Sequence, residues 1–297
     1  MTTLRSFGRL KLSRGKRNEN RKENRMNALS TTAMSIDTIA TFAPAVISNT
    51  SSPKVKENYK HYNTAELVQV MEQEGFYPVS ASQVKVRKNA EFRKQFAKHA
   101  IVFRDSNVNQ ETGCAAQIVI VNSHDGSTSY RLYYGLYRFV CANGLMIGSE
   151  FASQRICHKG DKNTIEEIIR ISREFANNAS KVNEQIEKWN GIEMSHEKQV
   201  EFAQKAMEYR WGKDNKAIEN YNAEDFIEAH NVEDTDNNSL WSVFNKIQEN
   251  MMKGNVQGMN QRGRRVRTRA IRNINRNIDM NKFLWNLAEE YEMATAA

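Results

Sequence analysis

The sequence predicts an α+β fold, with an antiparallel or mixed sheet in the first half followed by a long helix and a helical C-terminal part. Two observations support this prediction. Between residues 57 and 161, five β-rich segments succeed one another with turn signals between them, as in strands that pair with their sequence neighbours. From residue 162 onward the apolar residues recur at helical spacing, and strands followed by helices are the α+β order.

Residues 1–56 are predicted to form a disordered basic tail followed by a linker with a short ordered piece. Residues 1–25 hold nine Lys or Arg and two Glu, and residues 26–56 are rich in Ser, Thr and Ala without a persistent period. The first residues lack the apolar core of a secretory signal, and no apolar run approaches the roughly 18 residues of a membrane span. We therefore expect no membrane contact.

The β-rich region, 57–161, begins with a helix. Asn63 or Thr64 is expected to cap a helix through Glu72, which Gly75 and Pro78 end. The predicted strands follow in the segments SQVKVR, HAIVFRD, CAAQIVIVNS, SYRLYYGLYRFVCANGLMIG and SQRICHKG.

The helical region, 162–297, is predicted to open with one long amphipathic helix from Thr164 to Trp189. Thr164 and Glu167 have the spacing of a capping box, and the apolar residues that follow approximate a period of 3.6. Shorter helices are expected in SHEKQVEFAQKAMEYRW, AEDFIEAH, SLWSVFNKIQENMM and MNKFLWNLAEEY.

An arginine segment, residues 261–276, is the strongest functional signal. Together with Lys253 it places a charge of +8 within residues 253–276, whereas the whole chain carries +8 and residues 1–25 carry +7. Planar guanidinium groups match phosphate, so a nucleic-acid backbone is the expected partner. The alternative is a solvated basic loop paired with acidic helices. The arginines are Arg262, Arg264, Arg265, Arg267, Arg269, Arg272 and Arg276.

A second candidate for nucleic-acid binding is the segment YRLYYGLYRFV, in which Tyr134 and Arg138 could add stacking and cation-π contacts to bases. Side chains alternate along a strand, so Tyr133 and Tyr137 cannot share a face with Tyr134 and Arg138. The alternative is that the aromatic residues fill both faces of a half-buried strand.

No catalytic constellation stands out. Cys157 and His158 are adjacent, but a hydrolase needs a nucleophile, a base and an orienting group that converge in space. Neither a zinc spacing nor a phosphate-binding glycine loop is present in the sequence. We expect no metal, no cofactor and no enzymatic activity. The three cysteines are too few and too widely spaced for a disulfide framework, which favours a reducing cytoplasm.

The order of several elements resembles a family of phage- and plasmid-encoded proteins, the domain-of-unknown-function family numbered nine hundred and thirty-two. The elements are YRFVCANGLMIG, RICHKG, SLWSVFNKIQE, RGRRVRTRAIRNINR and NKFLWNLAEE, and the resemblance covers about Tyr59 to Tyr291. It implies a mobile-element origin and gene neighbours that act in DNA replication, recombination or escape from host defence. It implies no catalytic residues.

Two functional hypotheses follow. The first is a non-enzymatic protein of a phage or mobile element that binds or anneals single-stranded DNA, with homo-oligomerisation as a corollary. The second is an interaction protein that antagonises a host defence or regulatory factor through the helices between Thr164 and His230. Both place the protein in the host cytoplasm.

Overall fold

The structure, a computed structural model, describes residues 33–87, 90–109, 114–138, 143–146, 154–156, 164–177 and 179–296. Within these ranges the predicted α+β order is confirmed, because six strands precede most of the helices. The strands of this sheet are β1 (Phe76–Gln83), β2 (His99–Asn109), β3 (Cys114–Asn122), β4 (Tyr130–Arg138), β5 (Asn143–Met146) and β6 (Gln154–Ile156).

The sheet is antiparallel throughout. Its order is β1-β2-β3-β4-β5, and β6 pairs with β4 beside β5. Neighbours in sequence are thus neighbours in space, as the short predicted turns indicated. The register places Arg104 of β2 opposite Gln117 of β3, which in turn lies opposite Gly135 of β4.

One face of the sheet, called here the first face, is covered by helices. Ile101, Phe103, Ile118 and Ile120 point to this side and form a core with helical residues. The covering helices are α1 (Ile36–Phe42), α2 (Thr64–Gln73) and α4 (Thr164–Asn177), and the short helix α3 (Ala90–Arg93) precedes β2. Asn63 caps α2 through its side-chain oxygen, which accepts from the backbone nitrogens of Ala65 and Glu66, as predicted.

An ordered piece of the linker lies at residues 35–47. Ser35 caps α1, and a 3₁₀ turn (Pro44–Ile47) follows it. Ile39 and Val46 are fully buried in the core of the first face. A segment this short buries enough apolar surface to be ordered because the sheet supplies the other side of the contact. Residues 1–32 lie outside the described residues.

The helical part forms a second core. It contains α5 (Ala179–Asn190), α6 (His196–Trp211), α7 (Val232–Thr235), α8 (Leu240–Lys253) and α9 (Ile274–Ala296). Trp189 lies at its centre, with the ring of Trp285 4.6 Å away and that of Phe244 5.8 Å away. The long helix predicted over 164–189 is described as two helices, α4 and α5, and residue 178 between them lies outside the described residues.

Helix α9 connects the two parts of the molecule. Ile274 and Ile278, in its first turns, pack against Ala100, Val119 and Tyr133 on the opposite side of the sheet, called here the second face. Its later residues, including Leu284 and Trp285, belong to the helical core. Among the described helices, none combines the length and the apolar character that a membrane crossing requires.

Candidate nucleic-acid interface

The arginine segment folds as a hairpin that leads into α9. Strand β8 (Arg265–Arg267) pairs antiparallel with β7 (Gln257–Met259). At the turn, the side-chain oxygen of Asn260 accepts from the backbone nitrogens of Arg262 and Arg264, both at 3.0 Å. Asparagine stabilises turns in this way because its side chain imitates a backbone carbonyl.

Thr268 fixes the base of the hairpin. It is buried, and its backbone nitrogen donates to the carbonyl of Val256 at 2.9 Å. Its carbonyl accepts from Asn255 at 2.9 Å, and its hydroxyl oxygen accepts from the nitrogen of Val256 at 3.0 Å. Three hydrogen bonds therefore tie this residue to the chain that follows α8.

Gly258 holds the hairpin against the body of the protein. A Cβ at this position would lie 2.1 Å from the carbonyl oxygen of Asn220 and 2.4 Å from Cδ1 of Tyr221. Such distances are far inside van der Waals contact, so the backbone of β7 approaches this closely only because residue 258 has no side chain.

Arg210, at the end of α6, fixes the segment between the hairpin and α9. Its Nη1 donates to the carbonyl of Met251 and its Nη2 to the carbonyl of Arg269. Its guanidinium lies 4.5 Å from the ring of Trp211. Burial lowers the pKa of Arg210 to about 10, so the group remains charged at neutral pH.

Helix α9 begins at the end of the arginine segment. The side-chain oxygen of Asn273 accepts from the nitrogen of Arg276 at 3.0 Å, which caps the first turn. Lys98, which directly precedes β2, donates to the side-chain oxygen of Asn275 at 2.8 Å. Burial, followed by the charge of Arg131, lowers the pKa of Lys98, whereas Asp279 raises it.

All seven predicted arginines of the segment are exposed. Across the described part of the chain, no carboxylate oxygen lies within 4.0 Å of any of their guanidinium groups. Arg267 donates to the side-chain oxygen of Asn255 at 2.8 Å, which is a neutral acceptor. The alternative of a basic loop paired with acidic helices therefore finds no support in the described residues.

Some exposed arginines elsewhere have carboxylate partners. Arg170 is paired with Glu167 at 2.9 Å and with Glu174 at 3.1 Å, and Arg173 is paired with Glu74. Within the part of the chain that the structure describes, four other exposed arginines also have no carboxylate oxygen within 4.0 Å, namely Arg87, Arg93, Arg131 and Arg155. The arginine segment therefore differs in density, because seven exposed arginines lie within residues 262–276.

The structure removes Tyr134 and Arg138 from the predicted interface. Tyr134 is 3% exposed, and its ring packs on the first face against Phe175, with centroids 4.7 Å apart. Arg138 is 7% exposed and makes a bidentate pair with Asp234. Both side chains are buried because helices cover this part of the strand, so the alternative of a core role is correct for Tyr134 and an internal ion pair holds Arg138.

Two grooves meet at Arg272. The first, of about 700 Å³, lies between α6 and the start of α9 and is lined by Tyr209, Arg210, Arg269, Arg276 and Asp279 among others. The second, of about 380 Å³, lies between the second face of the sheet and α9. Its lining includes Arg104 and Gln117, which no motif in the sequence singles out.

The structure also contains a histidine cluster that no sequence motif indicated, formed by His61, His99 and His124. Nε2 of His99 lies 3.3 Å and Nε2 of His124 lies 3.4 Å from the hydroxyl oxygen of Thr64, and the ring of His61 lies 4.6 Å from that of His124. Within the described ranges, no set of three His, Cys, Asp or Glu residues has an arrangement that could hold a metal ion. Cys157 and His158 lie outside the described residues.

Comparison with known proteins places these features in a family. A family model described as "Domain of unknown function (DUF932)" matches residues 52–285. The UPF0380 protein YafZ of Escherichia coli (strain K12) is 33% identical over 247 residues, which cover 83% of this chain and 87% of the relative. The UPF0380 protein YfjQ of the same strain is 32% identical with the same coverage. No solved structure gives a significant match.

Proposed function

The chain belongs to the family described as a domain of unknown function, DUF932, and from its own surface we propose that it binds single-stranded DNA without catalysing a reaction. The role we assign to this binding is strand protection or annealing in the replication or recombination of a phage or other mobile element. The residues proposed to contact phosphate are the seven exposed arginines of the arginine segment.

The observation that carries this proposal is the concentration of seven exposed arginines within residues 262–276, none of which has a carboxylate partner among the described residues. Like charges held close together repel, and an anionic ligand relieves that repulsion. Guanidinium groups form bidentate hydrogen bonds with phosphate, so a polyanion with regularly spaced phosphates is the ligand that fits best.

The fixed position of the segment supports the same proposal. Thr268 and Gly258 hold the hairpin, Arg210 holds the chain after it, and Asn273 caps the helix that follows. Phosphate contacts made by such a surface define the path of a strand without reading its sequence.

A single strand is preferred in this proposal because grooves with apolar walls flank the arginines. Ile274 and Ile278 contribute to the groove on the second face, and Tyr209 to the groove beside α6. Only an unpaired strand can turn its bases toward apolar or aromatic side chains while its phosphates stay near the arginines.

The experiment is fluorescence anisotropy with a labelled 20-nucleotide strand and the matching duplex, titrated with the full chain over a salt series. The variant Arg272→Ala/Arg276→Ala is compared with Arg170→Ala/Arg173→Ala, which removes two exposed arginines that already have carboxylate partners. We expect tighter binding to the single strand and, in the first variant, a log-log salt slope that falls by roughly 0.7 for each phosphate it no longer neutralises.

The control variant should bind like the parent protein. If the full chain binds neither DNA at low salt, or if both variants bind equally well, the proposal is wrong. Absence of DNA binding would favour the second hypothesis, a protein partner, and pull-down from infected cells would then be the next experiment.

A further inference from the structure

The groove on the second face of the sheet has a built interior. Its walls are strands β1, β2 and β3 on one side and the first turns of α9 on the other. The volume of about 380 Å³ lies within the range of small-molecule sites in proteins. Arg272, at its rim, is one of the seven arginines proposed to contact phosphate.

The floor of the groove is apolar. Ala100, Val102 and Val119 contribute from the sheet, and Ile274 and Ile278 contribute from α9. These residues pack against one another, so the floor is a continuous apolar surface on which a planar ring can lie. A ring of that kind gains free energy by leaving water, as bases do on apolar and aromatic surfaces.

One end of the groove is polar. Arg104 and Gln117 are directly opposite each other on β2 and β3, so their side chains lie on the same face. The neighbour of Gln117 on β4 is Gly135, which has no side chain to fill the space above that position. Among the described side chains of β4, none stands directly opposite Gln117.

Gln117 has a donor without a partner. The residue is 1% exposed, and its Nε2 makes no hydrogen bond to any of the described residues. A buried amide nitrogen in this state costs free energy, and native proteins keep such groups mainly where a ligand or an ordered solvent molecule completes them. Because Gln117 lines the groove, a ligand in the groove is able to accept a hydrogen bond from this donor.

The other end of the groove favours a negative charge. Helix α9 has 23 residues, and its first turn presents backbone N–H groups and the positive end of the helix dipole. Arg272 precedes this turn, and Lys98 is bonded to Asn275 within it. A phosphate placed here is close to a guanidinium and to the start of the helix.

We propose that this groove binds one nucleotide unit, with the base against the apolar floor where the sheet meets α9, its polar edge at Gln117 and Arg104, and its 5′-phosphate at Arg272 and the start of α9. The unit can come from a DNA strand, in which case the inference rests on the proposed function, or from a free nucleotide. The two sources share this chemistry.

Two variants separate the groove from the arginine surface. Gln117→Met keeps the size of the side chain and removes the amide donor, and Ser82→Trp places a large ring at the exposed rim of the groove. Arg262→Ala/Arg264→Ala, at the distant turn of the hairpin, serves as the matched control because it removes charge without touching the groove. Thermal unfolding of each variant shows whether it is folded. If Gln117→Met does not fold, Ser82→Trp still tests the proposal.

The first measurement is binding of the 20-nucleotide strand and its duplex. We expect each groove variant to weaken single-strand binding about tenfold, the effect of removing one well-bonded base, while the salt slope and duplex binding stay unchanged. The control variant should lower the salt slope. Single-strand binding by the parent protein that neither groove variant alters would overturn the strand form of the inference and leave the proposed function intact.

The second measurement is calorimetric titration of the same proteins with deoxyguanosine 5′-monophosphate, with deoxyguanosine and inorganic phosphate as partial ligands. Guanine is the chosen base because its acceptor-rich edge suits the donors of Gln117 and Arg104. Saturable binding of the nucleotide that disappears in both groove variants supports a free-nucleotide site even if no DNA binds. No dependence on the groove variants in either measurement overturns the inference altogether.

Discussion

Arg138 and Asp234 are joined by two hydrogen bonds, Nη1 to Oδ2 at 2.8 Å and Nη2 to Oδ1 at 3.2 Å. The two side chains are almost completely buried, and Ser242 donates to the same carboxylate at 3.0 Å. The guanidinium also lies 5.8 Å from the ring of Trp241. This pair ties the last residue of β4 to the short helix α7 and thereby links the sheet to the helical core.

Removing one member of this pair should be costly because it leaves a buried charge without a counterion. We expect Arg138→Met or Asp234→Leu to lower the free energy of unfolding by about 3–5 kcal/mol, measured by urea denaturation. The double variant Arg138→Met/Asp234→Leu removes both charges and should recover most of the loss. A double variant no better than either single one would show that shape rather than charge compensation dominates.

Gly258 provides a second prediction, on the position of the hairpin. Gly258→Ala should destabilise the protein by about 1–3 kcal/mol, because the added methyl group overlaps the carbonyl of Asn220. Gly263, at the hairpin turn, has a φ of +67°, and a Cβ added there would meet no atom within 4 Å, so Gly263→Asn is a suitable control. Thermal unfolding of the two variants should separate them clearly, and equal melting temperatures would contradict the close approach at Gly258.

A third prediction concerns Arg210. Lysine has one nitrogen and cannot reach the carbonyls of both Met251 and Arg269, so Arg210→Lys should lower the free energy of unfolding by about 1.5–3 kcal/mol. The segment between the hairpin and α9 should also open more often, and trypsin should cleave it faster in the native protein. Arg173→Lys is the control, because Arg173 is exposed and its ion pair with Glu74 tolerates either cation.

The half-buried side chain of His61 predicts that the stability of the protein depends on pH. Burial lowers the pKa of His61, and its hydrogen bond with the carbonyl of Ser48 only partly opposes this effect. The folded protein therefore binds the proton less readily than the unfolded chain does. The resulting contribution to stability is present above the unfolded pKa of about 6.5 and is lost as the pH falls through the lower folded value.

The measurement is the melting temperature between pH 7.5 and pH 5. His61→Gln should flatten the decline on the acid side, because glutamine does not take up a proton. His196→Gln is the control, because the side chain of His196 is 63% exposed and lies outside the cluster of His61, His99 and His124. A decline that is the same in the parent protein and in His61→Gln would exclude this histidine as its cause.

Local sequence signals predicted most of the elements. The cap at Asn63, the later strand segments and the main helices of the second half follow from side-chain preferences within a few residues of each element. The first strand was predicted too late in the chain, in SQVKVR, whereas β1 covers Phe76–Gln83 and includes Pro78. Of the linker only a short ordered piece was expected, and the bounds of α1 were not, because Ser, Thr and Ala around Ile36 and Ile39 resemble a linker when their packing partner, the sheet, is unknown.

The candidate nucleic-acid interface was predictable only in part. The charge of the arginine segment is local information, and its exposure agrees with the prediction. Tyr134 and Arg138 were assigned to the surface because alternation separates two faces of a strand without showing which one is covered. The partner of Arg138 is 96 residues away, and the ladder of Arg104, Gln117 and Gly135 exists only through strand register.

The hairpin and the start of α9 give the arginine segment a definite shape before any partner arrives. Fixing the backbone of a residue costs about 1–2 kcal/mol of conformational entropy. In this protein these residues lose that entropy when the chain folds, before a partner binds. A flexible basic arm of the same composition would lose this conformational entropy only when it binds its partner. Association at this surface should accordingly proceed without a slow ordering step, at a rate governed by long-range attraction between charges.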